Sequence, residues 1–289
     1  MKYIQAKKIL SVGKPEGDPW FGTSYTINLY RGCTHGCIYC DSRSDCYRIN
    51  DFDQIEVKQN ALELLHRELK SKRQRRTIGF GSMNDCYMPI EEQQRRTRRA
   101  LEIILHHKFP IHIITKGTLV TRDTDLLKQI SKVYAAVSFT ITAANDELAK
   151  KIEPQAPSST DRFKALKQLR EAGIYAGITL MPILPFINDS IDNIKQIVAK
   201  AAESNASYII ASMGMTNRDG QREYFYKKLD QSFPEVKQKY MNQFGNDYSC
   251  ASPNAKLLWQ TFNSECNKYK IPTKMAFYKP INNQQTSLF

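Results

Sequence analysis

The chain has 289 residues, 41% of them hydrophobic, and its lysines and arginines outnumber aspartates and glutamates by 42 to 29. That apolar content suffices for a real core, yet no run of roughly 18 apolar residues exists to span a membrane. The formal charge of +13 favours a polyanionic partner such as nucleic acid.

The first eight residues lack the uninterrupted apolar core of a secretory signal, so a cytoplasmic location is expected. Seven cysteines is an odd number, and the single tight group among them has metal spacing, which argues against a disulfide framework. Residues 1–23 hold Gly13, Pro15, Gly17, Pro19 and Gly22 and read as an irregular arm.

Residues 24–29 are crowded with β-branched and aromatic side chains and predict a strand. Directly after it runs Tyr30-Arg31-Gly32-Cys33-Thr34-His35-Gly36-Cys37-Ile38-Tyr39-Cys40, three cysteines within eight residues. The spacing lets one loop curl with its thiolates inward, and Gly32 and Gly36 relieve the backbone where a side chain would block the curl. A structural zinc site needs four protein ligands, usually as two separated knuckles, and only one knuckle is present. Three close cysteines suit a [4Fe–4S] cluster whose fourth iron stays open to a small molecule. Cys46 could complete a four-cysteine site, which leaves a zinc-stabilised nucleic-acid-binding protein without redox activity as the alternative. His35 reads as a neighbour that supports the ligands more readily than as a ligand itself.

Further along, 57–70 is a predicted helix, 77–81 a strand, 91–107 a helix with a Leu101, Ile104 and Leu105 stripe, and 111–114 a strand. The alternation continues with a helix over 123–132, a strand over 133–141, a helix over 161–172, a strand over 174–180, a helix over 190–204 and a strand over 207–211. Six strand–helix alternations demand parallel strands joined by right-handed crossovers, and the length is too short for a full eight-fold barrel. A partial (β/α)6 TIM-type barrel over 24–212 is expected, preceded by the arm and followed by a helical extension over 213–289. In the extension, Tyr224, Phe225, Tyr226, Leu229, Leu257, Leu258, Trp259 and Phe262 suggest helices that cover an open side, with 282–289 loosely ordered. Lone Cys250 and Cys266 read as buried packing residues.

Parallel α/β folds carry their active sites at the carboxyl ends of the strands. That rim receives the three cysteines, Ser82 to Tyr87, Lys116, Ser138 and Thr140, Met181 and Pro182, and Ser212 to Gly214. A lysine ending an apolar strand, as Lys116 does, needs a partner to offset desolvation.

Cys-x3-Cys-x2-Cys with an aromatic residue before its last cysteine resembles the signature of the radical S-adenosylmethionine (SAM) enzymes. Arg-Gly-Cys-x-His-Gly-Cys-x-Tyr-Cys looks like the branch related to spore photoproduct lyase. The resemblance extends through Gly79 to Pro89, Ile114-Thr115-Lys116, Glu153 to Ser158 and Glu171-Ala172-Gly173-Ile174, covering roughly 24–190. It implies that Cys33, Cys37 and Cys40 hold a [4Fe–4S] cluster, that SAM chelates the open iron, and that reductive cleavage yields a 5′-deoxyadenosyl radical. It further implies an electron donor such as flavodoxin or ferredoxin. Tyr39 would lie against the adenine, Asn84 and Asp85 would meet the methionine end, Lys116 a carboxylate or ribose, and Ser138 or Thr140 the ribose. The lyase repairs a thymine dimer in DNA and carries a hydrogen-donating cysteine where Ser82 stands here; it also has a tyrosine at the position of Asp41. Cys86 or Tyr87 are the substitute hydrogen donors this sequence offers.

Among the basic residues, the 70–76 run and Arg95, Arg96 and Arg99 are expected to face solvent away from the active rim. Arg31, Arg43, Arg48, Arg218 and Arg222 lie in or after rim loops, where they could meet phosphates.

Overall fold

The computed structural model describes residues 1–280. Six parallel strands form its centre: β1 (Tyr25–Ile27), β2 (Ile78–Phe80), β3 (Ile111–Thr115), β4 (Ala135–Thr140), β5 (Tyr175–Leu180) and β6 (Ile209–Ala211). Each pairs with its successor in sequence, as an unbroken run of right-handed crossovers requires. The array stays open, with Leu10–Val12 added antiparallel on β1 and β6 at the other edge. It is therefore a partial (β/α)6 barrel.

The crossovers are α1 (Ala61–Lys70), α2 (Arg96–His107), α3 (Thr124–Ile130), α4 (Ser159–Glu171) and α5 (Ile191–Glu203). Serines cap the last two: the hydroxyls of Ser158 and Ser190 accept from the backbone N–H groups of Asp161 and Asn193 at 3.0 and 3.1 Å. After β6 come α6 (Gln221–Ser232), α7 (Pro234–Phe244) and α8 (Ala255–Lys268), the last packed on α5.

The two faces of the sheet differ in chemistry. Outward side chains such as Ile78, Phe80, Ile111, Ile113, Val137 and Phe139 join Leu101, Ile104 and Leu166 of the helices in the main apolar cluster. The alternate, inward positions carry Gly79, His112, Ser138, Thr140 and Thr179. There His112 Nε2 lies 2.8 Å from Ser138 Oγ, Ser138 Oγ 2.8 Å from the Tyr208 hydroxyl, and Thr140 Oγ1 3.0 Å from Thr179 Oγ1. A Cβ on Gly79 would stand 2.9 Å from Thr23 Cγ2, so the arm fills the lower lumen. The upper lumen, at the strands' carboxyl ends, is lined by Ile114 and Lys116.

Several sequence expectations need revising. The arm is not irregular: Lys2–Ile4 pairs in parallel with Glu56–Lys58, while the Ile9 and Leu10 N–H groups donate to the Glu68 carboxylate at 3.1 and 2.9 Å. Glu56–Lys58 also pairs with Tyr30–Arg31, and this two-sided pairing claims Val57 for a strand, so the helix starts at Ala61. The 91–107 helix breaks at Arg95, which adopts φ +49°, between a short Glu91–Gln94 turn and α2. Arg96 does not face solvent. Thr97 and Ala100 widen the buried stripe, Arg96 precedes Ala100 by one turn on that face, and its Nη2 donates to the carbonyls of Lys58 and Gln59 at 2.6 and 2.7 Å. A helix over Asp146–Ile152 and an antiparallel pair, Gly214–Thr216 with Ser249–Ala251, were not foreseen. Cys250 and Cys266 are buried, and most of the 70–76 run is exposed. The expectation for 282–289 lies outside the described residues.

Candidate active site: a buried cysteine loop at the rim of the barrel

The loop after β1 is held from several directions. Gly32 adopts φ +82°, and a Cβ there would stand 2.6 Å from the Phe52 carbonyl oxygen; the approach is that close because Cys33 N–H donates to the same oxygen at 3.0 Å. Ile38 N–H donates to Ile152 O and Gln155 N–H to His35 O, each at 3.0 Å, so residues 152–155 run along the loop as a splint. From the C-terminal extension, the Gln221 side-chain amide donates to the Tyr39 carbonyl at 2.9 Å. Thr34 N–H points at Met88 Sδ, 3.4 Å away.

Cys33, Cys37 and Cys40 are unpaired thiols in this loop, the first two buried and the third half-buried. Burial pushes all three thiols up, Cys33 to about 12, and each is raised further by a neighbouring anion. Lys116 opposes this at Cys37 and Cys40. Holding three thiolates here therefore calls for added positive charge, which an iron–sulfur centre supplies. Among the described residues, no three Cys, His, Asp or Glu side chains converge as the ligands of one ion. A cluster spreads its thiolates over separate irons. Cys46 is exposed, with its sulfur 3.5 Å from Arg218 Nη1, and does not join the other three. The donor set fits a cluster.

Lys116 follows β3 on the lumen side. Burial works against its charge, but its proximity to Cys37 and to the Glu153 carboxylate raises it, and the ammonium stays protonated. Its Nζ lies 5.6 Å from the centre of the Tyr39 ring, and among the described residues it has no hydrogen bond or ion pair. The Tyr39 hydroxyl donates to Glu153, which is paired with Arg162 Nη1 at 2.5 Å; both side chains are about 1% exposed. Arg162 also donates to the carbonyls of Pro157 and Thr140 at 2.9 and 2.8 Å.

The remaining predicted residues separate by face. Thr140 ends β4 on the lumen side, and Ser138 sits deeper in the His112–Tyr208 ladder. Asn84 Nδ2 donates to the Tyr30 carbonyl at 2.7 Å and steadies the loop's entry. The Asp85 carboxylate is already filled: Thr115 Oγ1 and Lys116 N–H donate at 2.6 Å, Tyr87 N–H donates at 2.8 Å, and His35 Nε2 stands 3.1 Å away. These donors hold its carboxyl well below the usual range despite burial, so Asp85 braces three loops and has no oxygen left for a ligand. Cys86 and Tyr87 face the helix layer. Cys86 packs in the main apolar cluster, and the Tyr87 hydroxyl donates to buried Asp123 at 3.0 Å. Of the five rim arginines, four are engaged by carboxylates: Arg31 by Glu56, Arg43 by Asp53, Arg218 by Asp41 and Arg222 by Asp219. Arg48 is exposed.

The model of the radical SAM superfamily matches residues 27–201, more than half of the chain. The chain belongs to the radical SAM superfamily. It is 34% identical over 235 residues to an uncharacterized protein of Methanocaldococcus jannaschii, covering 80% of this chain and 83% of that one. An uncharacterized protein of Mycobacterium tuberculosis is 30% identical over 224 residues, 75% of this radical SAM protein, which spans 66% of the mycobacterial relative's length. A protein of Pseudomonas phage M6 named radical SAM Nalpha-GlyT isomerase is 28% identical over 66% of this chain and 40% of its own. Among solved structures, spore photoproduct lyase complexed with dinucleoside spore photoproduct superposes with a TM-score of 0.69 at 15% identity, over 92% of this chain and 78% of that one. At that identity the likeness establishes the fold. Membership implies SAM and an iron–sulfur cluster, and no helix among the described residues is long and apolar enough to cross a membrane.

Glu153, Arg162 and Gln221 escaped sequence reasoning as site residues. The Glu-Pro segment carried a family signal but no stated role, and a buried arginine within a helix looks like any surface arginine in sequence.

Proposed function

We propose that Cys33, Cys37 and Cys40 hold a [4Fe–4S] cluster and that the enzyme acts on a nucleic acid. The first part is carried by one observation: three free thiols share a buried, multiply braced loop beside an ammonium with no partner among the described residues. Held by these three cysteines, the cluster would supply the electron for reductive cleavage of SAM. The chain's own residues bind, orient and shield. Lys116 offers its ammonium to the carboxylate of SAM, Tyr39 presents its ring beside that lysine, and Thr140 offers a hydroxyl at the strand end with Ser138 below it. Asn84 and Asp85 act indirectly, by fixing the loops from which Tyr39 and Lys116 project.

The nucleic-acid part is supported by the charge of +13 and by the residues around the segment after Cys40. Tyr47 and Tyr248 stand beside Arg218, whose guanidinium carbon is 5.8 and 5.1 Å from their ring centres. Aromatic faces interleaved with arginines suit stacked bases and a phosphate backbone. The lyase bound to a dinucleoside photoproduct points the same way. Photoproduct repair itself has less support, because Ser82 replaces the donor cysteine and Cys86 faces away from the lumen. The test is transfer of deuterium into 5′-deoxyadenosine from deuterated substrates: irradiated DNA, intact DNA and RNA. Transfer from one of them supports the reading; transfer from none, with SAM still cleaved, removes it.

A further inference from the structure

A groove of about 500 Å³ runs beside the edge of β6, where the open strand array leaves that strand without a partner strand on one side. Ile210 and Ala211 line it, and the active rim begins at the next residue, Ser212. Both tryptophans of the chain also line it, Trp20 from the arm and Trp259 from α8, together with Phe277. These rings are 47%, 38% and 39% exposed, although large aromatic side chains gain most from burial. Exposed apolar rings gathered in one place mark a binding surface.

Each ring is held from behind. In the arm, the Asp18 carboxylate accepts from the N–H groups of Trp20, Phe21 and Thr23 at 3.0, 2.8 and 2.9 Å and from the Thr23 hydroxyl at 2.5 Å, which fixes the loop that carries Trp20. Trp259 rests edge-on against buried Phe262, their ring centres 5.7 Å apart. Phe277 follows Ala276, whose carbonyl accepts from the Tyr134 hydroxyl at 2.7 Å and whose N–H donates to the Tyr175 hydroxyl at 2.8 Å. Arm and C-terminal segment meet here, since a Cβ on Gly22 would stand 2.7 Å from Phe277 Cγ. Rings ordered in advance spare a ligand the cost of ordering them.

The charge around the rings is of one sign. Among the described residues, the one charged side chain lining the groove is Lys274, which is exposed and enters no ion pair. Residues 255–280 carry five lysines against a single acidic residue, Glu265, whose carboxylate lies 3.5 Å from Lys268 Nζ. Asp18 has its oxygens filled by its own loop, and exposed Lys14 and Glu16 before it offset each other.

We propose that this groove is a stacking site for unpaired bases of a single-stranded nucleic acid, with Lys274 on its phosphates, and that it leads the strand along β6 to the active rim. The inference rests on the nucleic-acid reading above and narrows it to a strand, or a stretch of one, whose bases lack partners. Aromatic faces accept any base, and lysines follow the backbone. In an intact duplex both faces of each base are already covered by its neighbours, which leaves these rings nothing to take.

Because both tryptophans lie in the groove, their fluorescence reports on it directly. The full-length, cluster-loaded protein is titrated anaerobically with oligothymidylate and oligouridylate of about twelve nucleotides and with a duplex of equal length. Tryptophan emission is read with unlabelled strands and anisotropy with dye-labelled ones. At least one single strand should quench the emission, with both readouts giving one Kd, while the duplex quenches little. Trp20→Ala and Trp259→Ala should each weaken that Kd about tenfold without altering its salt slope, whereas Trp20→Phe and Trp259→Phe keep most of the affinity. Lys274→Ala should lower the slope by about one. Single-strand binding that leaves the emission unchanged, equal quenching by the duplex, or wild-type Kd values in both alanine variants overturns the proposal while the nucleic-acid reading stands. No anisotropy change with any probe removes that reading, and the role of the groove with it.

Discussion

Replacing Glu153 with glutamine tests the bracing of the cysteine loop without touching a cluster ligand. The carboxylate is buried, accepts from the Tyr39 hydroxyl and faces the Arg162 guanidinium at 2.5 Å. Removing one partner of a buried ion pair costs about 3–5 kcal/mol, because the survivor is left charged and unpaired. Arg162 keeps its bonds to the Pro157 and Thr140 carbonyls, and the new amide oxygen can still accept from Tyr39, so the lower end, about 3 kcal/mol, is expected. For a chain of this size that lowers Tm by roughly 6 °C. Denaturation of the metal-free protein measures the loss, and iron content after reconstitution should fall in step as the 152–155 splint along the cysteine loop loosens. The double variant Glu153→Leu with Arg162→Met removes both charges and should recover most of the stability, but not the tether on Tyr39. A single variant within about 0.5 kcal/mol of wild type, with its iron retained, would refute the reasoning.

Other outcomes follow from the same geometry. Each of Cys33→Ala, Cys37→Ala and Cys40→Ala should lose most of its iron on reconstitution, whereas Cys46→Ala should retain it. Lys116→Met removes a charge-assisted hydrogen bond worth about 2 kcal/mol and should weaken SAM binding roughly 30-fold by equilibrium titration, with iron content unchanged. Cys86→Ala should cost about 1–2 kcal/mol of stability through lost packing and leave the product distribution unaltered. Arg48→Ala combined with Arg218→Ala should weaken DNA binding and reduce its salt slope; an unchanged slope counts against the nucleic-acid reading.

The barrel was legible because its strands are short apolar runs separated by amphipathic helices, and that alternation admits few topologies. The cysteine loop was legible because its spacing is local. What could not be read is what depends on distant partners. Val57 belongs to a strand because Lys2–Ile4 and Tyr30–Arg31 arrive on its two sides from elsewhere in the chain. Arg96 is buried because its guanidinium finds two backbone carbonyls. Asp85 looked like a ligand because it occupies the right loop, and became a brace once Thr115, Lys116 and Tyr87 had filled its oxygens. Cys86 occupies the same loop with its side chain on the opposite face, and strand-end geometry alone does not tell the two faces apart in an irregular segment. Gln221 lies in the extension beyond the matched family region, so neither pattern nor resemblance pointed to its bond with the Tyr39 carbonyl.

The most direct measurement is anaerobic reconstitution followed by one reductive turnover. The account predicts about four irons and four sulfides per chain and release of 5′-deoxyadenosine when SAM and a low-potential reductant are added. Stoichiometric zinc in place of iron, or a complete cluster that leaves SAM intact under reducing conditions, would contradict it.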